Sequence, residues 1–324
     1  MRALALTVVL ALLPTAALAQ SSAKVPSVGI LMSTTPAAAK HITDAFVAGL
    51  TQDGWIPGRT IALEYRWAEG RLERFPDLAA ELAGLRMDVI VASGIAATEA
   101  AHKAAPTVPI VMVNVTDPVG AKLVQSLVRP GGTVTGLSSQ LTPDIRGKQL
   151  QLLKEAFPRI RQVAIFRNAE VAGAAVWKEY EAAGRIIGVE TRFVDLKGPQ
   201  EFDAALARIG RTAGEALFVP GGDLVFFMNR AALVAGALKH RVPAMFTLRE
   251  FADAGGLMSY SARLTDQFHR AAEYVGRVLR GTRPGEIPVE QPTSFELVVN
   301  LKTATALELT LPPAFLLRAD EVLR

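Results

Sequence analysis

The sequence predicts an α/β protein made of two successive βα domains, and three observations support that fold class. Short apolar runs alternate with amphipathic stretches along most of the chain, as in repeated βα units. Residues 88–119 read as strand, turn, helix and strand within about thirty residues, which is a βαβ unit. The alternation then restarts at Gln162, and 324 residues are enough for two domains.

The βαβ unit shows how the elements of the first half are assigned. Residues 88–92 are a short apolar run ended by Ser93-Gly94, residues 96–105 are Ala-rich, and Pro106 ends that helix. Further strands are predicted at 26–32, 60–67, 110–113 and 134–137, and further helices at 37–52, 74–85, 120–128 and 144–157.

The second half repeats this organisation without a strong sequence repeat. Strands are predicted at 162–166, 190–195, 216–219, 243–246 and 295–301, and helices at 171–187, 201–211, 229–239, 265–279 and 316–323. Two βα domains explain this restart better than one large sheet does.

The first nineteen residues resemble an export signal. Arg2 supplies a positive start, residues 3–13 form an apolar core, and residues 17–19 form an A-x-A cleavage site before Gln20. The apolar core is too short to span a bilayer as an anchor. We therefore expect cleavage after Ala19 and, because the chain has no cysteine to carry a lipid, a periplasmic protein in a bacterium.

The composition argues against several other functions. The net charge is only +4 and the basic residues are scattered, so we expect no nucleic-acid partner. The absence of cysteine excludes disulfides and thiolate metal sites. The four histidines fall in separate predicted helices, and the P-loop, GxGxxG, HExxH and GxSxG motifs are all missing. We expect no enzyme activity, metal or cofactor.

The candidate ligand contacts all follow predicted strands, because parallel sheets bind ligands beyond the carboxyl ends of their strands. In the first half they are Ser33, Thr34, Thr35, Ser93, Gly94, Ala96 and Asp117, and in the second half they are Asn168, Asp195 and Asp223.

These residues suggest the chemistry of a ligand. The amides and hydroxyl around Ser93-Gly94, at a helix N-terminus, suit an anion such as a carboxylate. Asp117 or Asp223 suits an ammonium group, so a zwitterionic amino acid satisfies both ends. The alternatives are that aspartates in these positions bind sugar hydroxyls, perform acid–base chemistry, or only cap helices and turns.

Segments along nearly the whole chain also resemble one family, the ABC-transporter substrate-binding proteins related to tryptophan- and other aromatic amino-acid-binding proteins. The matching segments are 65–70 (YRWAEG), 88–92 (DVIVA), 116–119 (TDPV), 129–132 (RPGG), 135–136 (TG), 255–260 (GGLMSY), 290–293 (EQPT), 300–304 (NLKTA) and 319–322 (ADEV). The chain departs from the family pattern at 94–96, where Thr-Pro commonly follows the glycine, and at Glu308, where glycine is common.

The resemblance implies a type I periplasmic-binding fold, in which two Rossmann-like lobes with parallel sheets are joined by a multi-strand hinge. It implies one lobe at 24–137 plus about 261–284, the other at 138–257 plus about 288–324, and a hinge near 136–139, 257–260 and 288–291. It also implies a monomer that delivers a small ligand, an aromatic or branched amino acid, to an inner-membrane ABC permease. The alternatives are a periplasmic α/β enzyme and the sensing module of a signalling system.

Overall fold

A computed structural model describes residues 25–139, 142–168, 174–221 and 223–324. The predicted export signal lies outside these residues, as do the first three residues of the helix predicted at 171–187. Within the described ranges, no helix is both long enough and apolar enough to cross a membrane.

The first sheet is parallel throughout, and its strands are the apolar runs of the first half of the chain. Its order is β2-β1-β3-β4-β5. The strands are β1 (Ser27–Met32), β2 (Ala62–Trp67), β3 (Val89–Ser93), β4 (Ile110–Val115) and β5 (Val134–Ser138). Its helices are α1 (Pro36–Gln52), α2 (Phe75–Gly84) and α3 (Ile95–Ala104). Because alternate strand residues point to opposite faces, one face buries against α1 and the other against α2 and α3.

The second sheet contains seven strands in the order β12-β11-β10-β9-β8-β6-β7. Its strands are β6 (Gln162–Arg167), β7 (Glu190–Asp195), β8 (Glu215–Val219), β9 (Ala244–Phe246), β10 (Met258–Ala262), β11 (Phe295–Asn300) and β12 (Glu321–Leu323). The remaining helices are α4 (Pro143–Ala156), α5 (Ala174–Ile186), α6 (Phe202–Gly210), α7 (Leu224–Met228), α8 (Arg230–Lys239), α9 (Arg249–Asp253), α10 (Leu264–Leu279), α11 (Leu301–Ala306) and α12 (Pro313–Leu316). Only β11 is antiparallel to its inner neighbour, β10, and β12 runs parallel to β11.

The chain exchanges segments between the two lobes. Helix α10 follows β10 of the second sheet but packs on α1 and on strands of the first sheet. The segment after the short 3₁₀ helix at Pro284–Glu286 then runs beside β5, where Glu290 pairs with Leu137. It afterwards enters the second sheet as β11. These contacts confirm the predicted fold class of two α/β lobes joined by several strands, whereas the predicted limits of each lobe stay a prediction.

Two sequence predictions are wrong. Residues 120–128 form turns instead of a helix, because Lys122 adopts a φ of 58° and the amides of Leu123 and Val124 both donate to the Pro118 carbonyl. Residues 316–323 end in strand β12, where Asp320 exchanges hydrogen bonds with Leu297 and the strand covers the edge of β11. Met258–Ala262 pairs with β11 along its length, so the chain leaves the second sheet after Ala262, next to the crossing predicted near 257–260.

The family's common glycine at position 308 has a structural explanation. Glu308 adopts a φ of 57°, which is the left-handed region that glycine enters most easily. Here both carboxylate oxygens of Glu308 instead accept hydrogen bonds from Arg241, at 3.0 Å each. Position 308, where the chain departs from the family pattern, therefore lies just after a helix end and carries an exposed ion pair.

Candidate ligand-binding site

The carboxyl ends of the strands in both sheets meet at the boundary between the lobes. Strand β5 leads to α4 of the second lobe, β10 leads to α10 of the first lobe, and β11 begins beside the carboxyl end of β10. All three connections leave or enter at the carboxyl edge of a sheet. His41 of α1 also lies near enough to Glu321 of β12 to add to the lowering of that carboxyl's pKa, which is caused mainly by Arg249. The two edges therefore lie at the same boundary, and the space between them is the cleft in which a ligand would contact both lobes.

The first strand end brings Ser33, Thr34 and Thr35 to this cleft edge. Thr35 is the N-cap of α1, and its Oγ1 accepts a hydrogen bond from the Ala38 amide at 3.3 Å. Ser33 and Thr34 are half-buried beside it. Since β1 and β3 are neighbours, this loop lies next to the Ser93-Gly94 turn.

The turn after β3 presents the N-terminus of α3 to the cleft. Gly94 has a φ of 86°, which directs the chain from the strand into the helix. Its own amide donates to the Val113 carbonyl at 2.8 Å, so this amide already has a partner. The amides of the first helical turn, Ala96 among them, have no partner within the helix. An anion at this turn would therefore be held by those amides and by the half-buried Ser93 hydroxyl.

The carboxyl end of β4 is irregular. Asn114 adopts a φ of 61°, and the pairing of β4 with β5 shifts register between Met112 and Val115. Such a bulge turns a side chain away from the regular alternation of the strand, and bulges are frequent next to binding sites. Asn114 is half-buried at this position. Asn114 directly follows the strand predicted at 110–113 but is not among the predicted ligand contacts, although asparagine is one of the few residues that tolerate this φ.

Asp117 is exposed and performs a turn-capping role. Its Oδ1 accepts a hydrogen bond from the Gly120 amide at 2.8 Å. Its Oδ2 lies so close to Gly120 that a Cβ added there would approach it to 2.1 Å. The geometry therefore accounts for Asp117 without a ligand.

Asp195, at the end of β7, is paired with Arg167 at the end of β6. Arg167 donates to Oδ1 at 2.5 Å and to Oδ2 at 3.1 Å, and this hydrogen-bonded pairing lowers the pKa of Asp195. The guanidinium also lies over the rings of Trp177 and Phe193, at 5.6 Å and 4.9 Å from their centroids. A ligand ammonium at Asp195 would have to compete with Arg167, a neighbour that sequence reasoning missed. Asn168 follows Arg167 directly and is half-buried.

Asp223 differs from the other aspartates because it is buried. It follows β8 and caps α7, where its Oδ1 accepts a hydrogen bond from the Val225 amide at 2.7 Å. Its Oδ2 is buried and has no hydrogen-bond partner among the described residues, and the residue as a whole is only 9% exposed. A buried carboxylate oxygen without a partner is costly, so this atom calls for a further hydrogen-bond donor.

The structure thus places all ten predicted residues at the carboxyl edges of the two sheets but does not give them equal roles. Thr35, Asp117 and Asp195 have protein partners that explain them, whereas one oxygen of Asp223 has no partner within the described part of the chain. In the part of the chain that the structure describes, no group of three or more His, Asp or Glu side chains is placed to hold a metal ion.

Two α/β lobes around one cleft, with polar residues at both rims, define a ligand-binding protein of the two-lobed class. The chain belongs to the ABC transporter substrate binding protein family, whose model matches residues 27–323. That family consists of binding proteins, which confirms the prediction that the chain is not an enzyme.

Three similar proteins extend this comparison. The tyrosine-binding protein of Clostridioides difficile is 26% identical over 270 residues, which cover 82% of this chain and 75% of that protein. A conserved domain protein from Vibrio cholerae has the same fold with a TM-score of 0.77 at 24% identity, over 92% of this chain and 100% of the other. An ABC domain from Streptococcus pneumonia in complex with L-Trp also gives 0.77, at 22% identity, over 92% and 99%.

Proposed function

We propose that the chain is the substrate-binding protein of an ABC importer and that it holds one α-amino acid, with an aromatic side chain preferred, in the cleft between its lobes. The Oδ2 of Asp223, which is buried without a hydrogen-bond partner among the described residues, carries the proposal. A ligand ammonium supplies the donor that this oxygen lacks, and charge-assisted bonds of this kind are the strong ones.

The opposite rim supports the same class of ligand. The first-turn amides of α3 and the Ser93 hydroxyl suit a carboxylate. An amino acid that spans the cleft would satisfy both rims at once. The preference for an aromatic side chain rests on two similar proteins, one named for tyrosine and one described with L-Trp.

The partner and the compartment belong to the same proposal. An exported binding protein needs a membrane permease to receive its ligand, and the first nineteen residues have the composition of an export signal. We infer a periplasmic protein that closes on its ligand, because contacts to both lobes form only when the cleft is shut.

Thermal-shift screening tests the ligand class. We expect L-tryptophan, L-tyrosine or another L-amino acid to raise the melting temperature by several degrees, since a ligand at 100 times its dissociation constant adds about 2.7 kcal/mol of stability. Sugars and nucleosides serve as the comparison panel and should have no effect. Shifts confined to sugars or nucleosides would exclude the amino-acid assignment.

A further inference from the structure

Gln267 in the first turn of α10 has a buried side-chain amide with no visible function in the fold. The residue is 4% exposed, and neither Nε2 nor Oε1 has a hydrogen-bond partner among the described residues. A primary amide carries two donors and an acceptor, and burying all of them unpaired is unfavourable. A hydrophobic residue would fit a purely structural role better.

The position of Gln267 places it at the boundary between the lobes. Helix α10 begins at Leu264, two residues after β10 ends at the carboxyl edge of the second sheet, while the helix itself packs on the first lobe. The first turn of α10 is tied to the entry of β11, because Ser294 Oγ donates to Asp266 Oδ2 at 2.6 Å and the Arg263 amide donates to the Ser294 carbonyl at 3.1 Å. The first turn of α10 therefore lies at the cleft end of the helix.

Other buried polar atoms at the same boundary also lack a hydrogen-bond partner among the described residues. Ser139 Oγ, directly after β5, and Asp223 Oδ2, after β8, are also buried without a partner among the described residues. Arg270, one turn further along α10, donates to both carboxylate oxygens of Glu290 at 2.9 Å and 2.7 Å, which connects α10 to the segment beside β5. Glu290 in turn pairs with Leu137 of β5.

We propose that Gln267 is a ligand-recognising residue of this cleft, which reads the zwitterionic end of a bound amino acid. Its Nε2 donates to the carboxylate and its Oε1 accepts from the ammonium. A neutral amide suits this role because it serves both charges, whereas an ionised side chain would suit only one. The inference rests on the proposed function, since it assumes an amino-acid ligand.

The test variant is Gln267→Leu, which has a similar volume but no polar atoms. We expect its affinity for L-tryptophan and L-tyrosine, measured by isothermal titration calorimetry, to fall by about ten-fold or more, as for a lost hydrogen bond to a charged group. The melting temperature of the ligand-free variant should stay the same or rise, because two unpaired polar atoms are removed. Tryptamine and indole-3-propionate, which each keep one charged group, should show a smaller difference between wild type and variant.

Gln149→Leu is the matched control. Gln149 is equally buried, but its Nε2 donates to the Tyr260 carbonyl at 3.2 Å and its Oε1 accepts from the Tyr180 hydroxyl at 3.4 Å. We expect this variant to lose stability and to keep its affinity. If the wild type binds these amino acids and Gln267→Leu binds them equally well, Gln267 is not a ligand residue. A wild type that binds no L-amino acid overturns the proposed function and this inference with it.

Discussion

Asp223→Asn is expected to weaken amino-acid binding by about ten-fold or more while it leaves the stability of the ligand-free chain nearly unchanged. Asparagine caps helices about as well as aspartate, so the bond from the Val225 amide to Oδ1 is retained. What is lost is the charge of the buried Oδ2, and a hydrogen bond to a charged group contributes about 1.5–3 kcal/mol. Calorimetric titration of both proteins with the same amino acid measures the difference.

Asp117→Asn is the matched control for this prediction. Asp117 also caps a turn, through the Gly120 amide, but it is exposed and needs no further partner. We expect its variant to bind within about two-fold of the wild type, since surface substitutions of this kind change free energies little. A large loss of affinity in Asp117→Asn together with no loss in Asp223→Asn would place the ligand ammonium at the first lobe.

Gly136→Ala should destabilise the first lobe by about 3 kcal/mol or more. Gly136 lies in β5 with a φ of 129°, and a Cβ added there would lie 2.1 Å from the Met112 carbonyl oxygen. Both the backbone conformation and the space therefore exclude a side chain, and the clash is with backbone that cannot rotate away. The carbonyl of Gly136 also accepts the Glu290 amide at 3.0 Å, so the change acts on the connection between the lobes.

Gly132→Ala controls for the loss of glycine flexibility a few residues away. Gly132 has no atom within 4 Å of an added Cβ, and it is absent from the residues with positive φ. We expect the denaturant midpoint of the Gly132→Ala variant to match that of the wild type. The fluorescence of Trp55 and Trp67 reports the unfolding. Equal midpoints for the two glycine variants would contradict the strain assigned to position 136.

The strands and most helices were predictable because their signals are local. An apolar run such as 88–92 ended by Ser93-Gly94 defines a buried strand and its turn, and the structure has β3 at Val89–Ser93. One failure comes from long-range pairing and the other from local turn geometry. Residues 316–323 have a helical pattern, but the exposed edge of β11 captures the last of them as a strand. Residues 120–128 form turns that are stabilised by hydrogen bonds to the Pro118 carbonyl, although their sequence pattern favours a helix.

For the candidate site, the sequence predicts which strand ends carry polar residues, but it does not predict the role of each residue. Sequence position alone does not distinguish Asp117 from Asp223, because the difference is the burial that the packing around α7 creates. The position of Asn114 depends on a β-bulge, and no local sequence pattern predicts that bulge. Gln267 is an ordinary helix residue in the sequence, and its burial depends on the packing of α10 on the first lobe.

The position of a bound amino acid in a crystal structure of the complex tests the central claim most directly. The ligand of choice is the amino acid that raises the melting temperature most. We predict electron density in the cleft, with the carboxylate at the first turn of α3 and the ammonium within hydrogen-bond distance of Asp223 Oδ2. Density bound to one lobe alone, such as in the outer groove lined by Gln52, His269 and Arg277, would contradict the account.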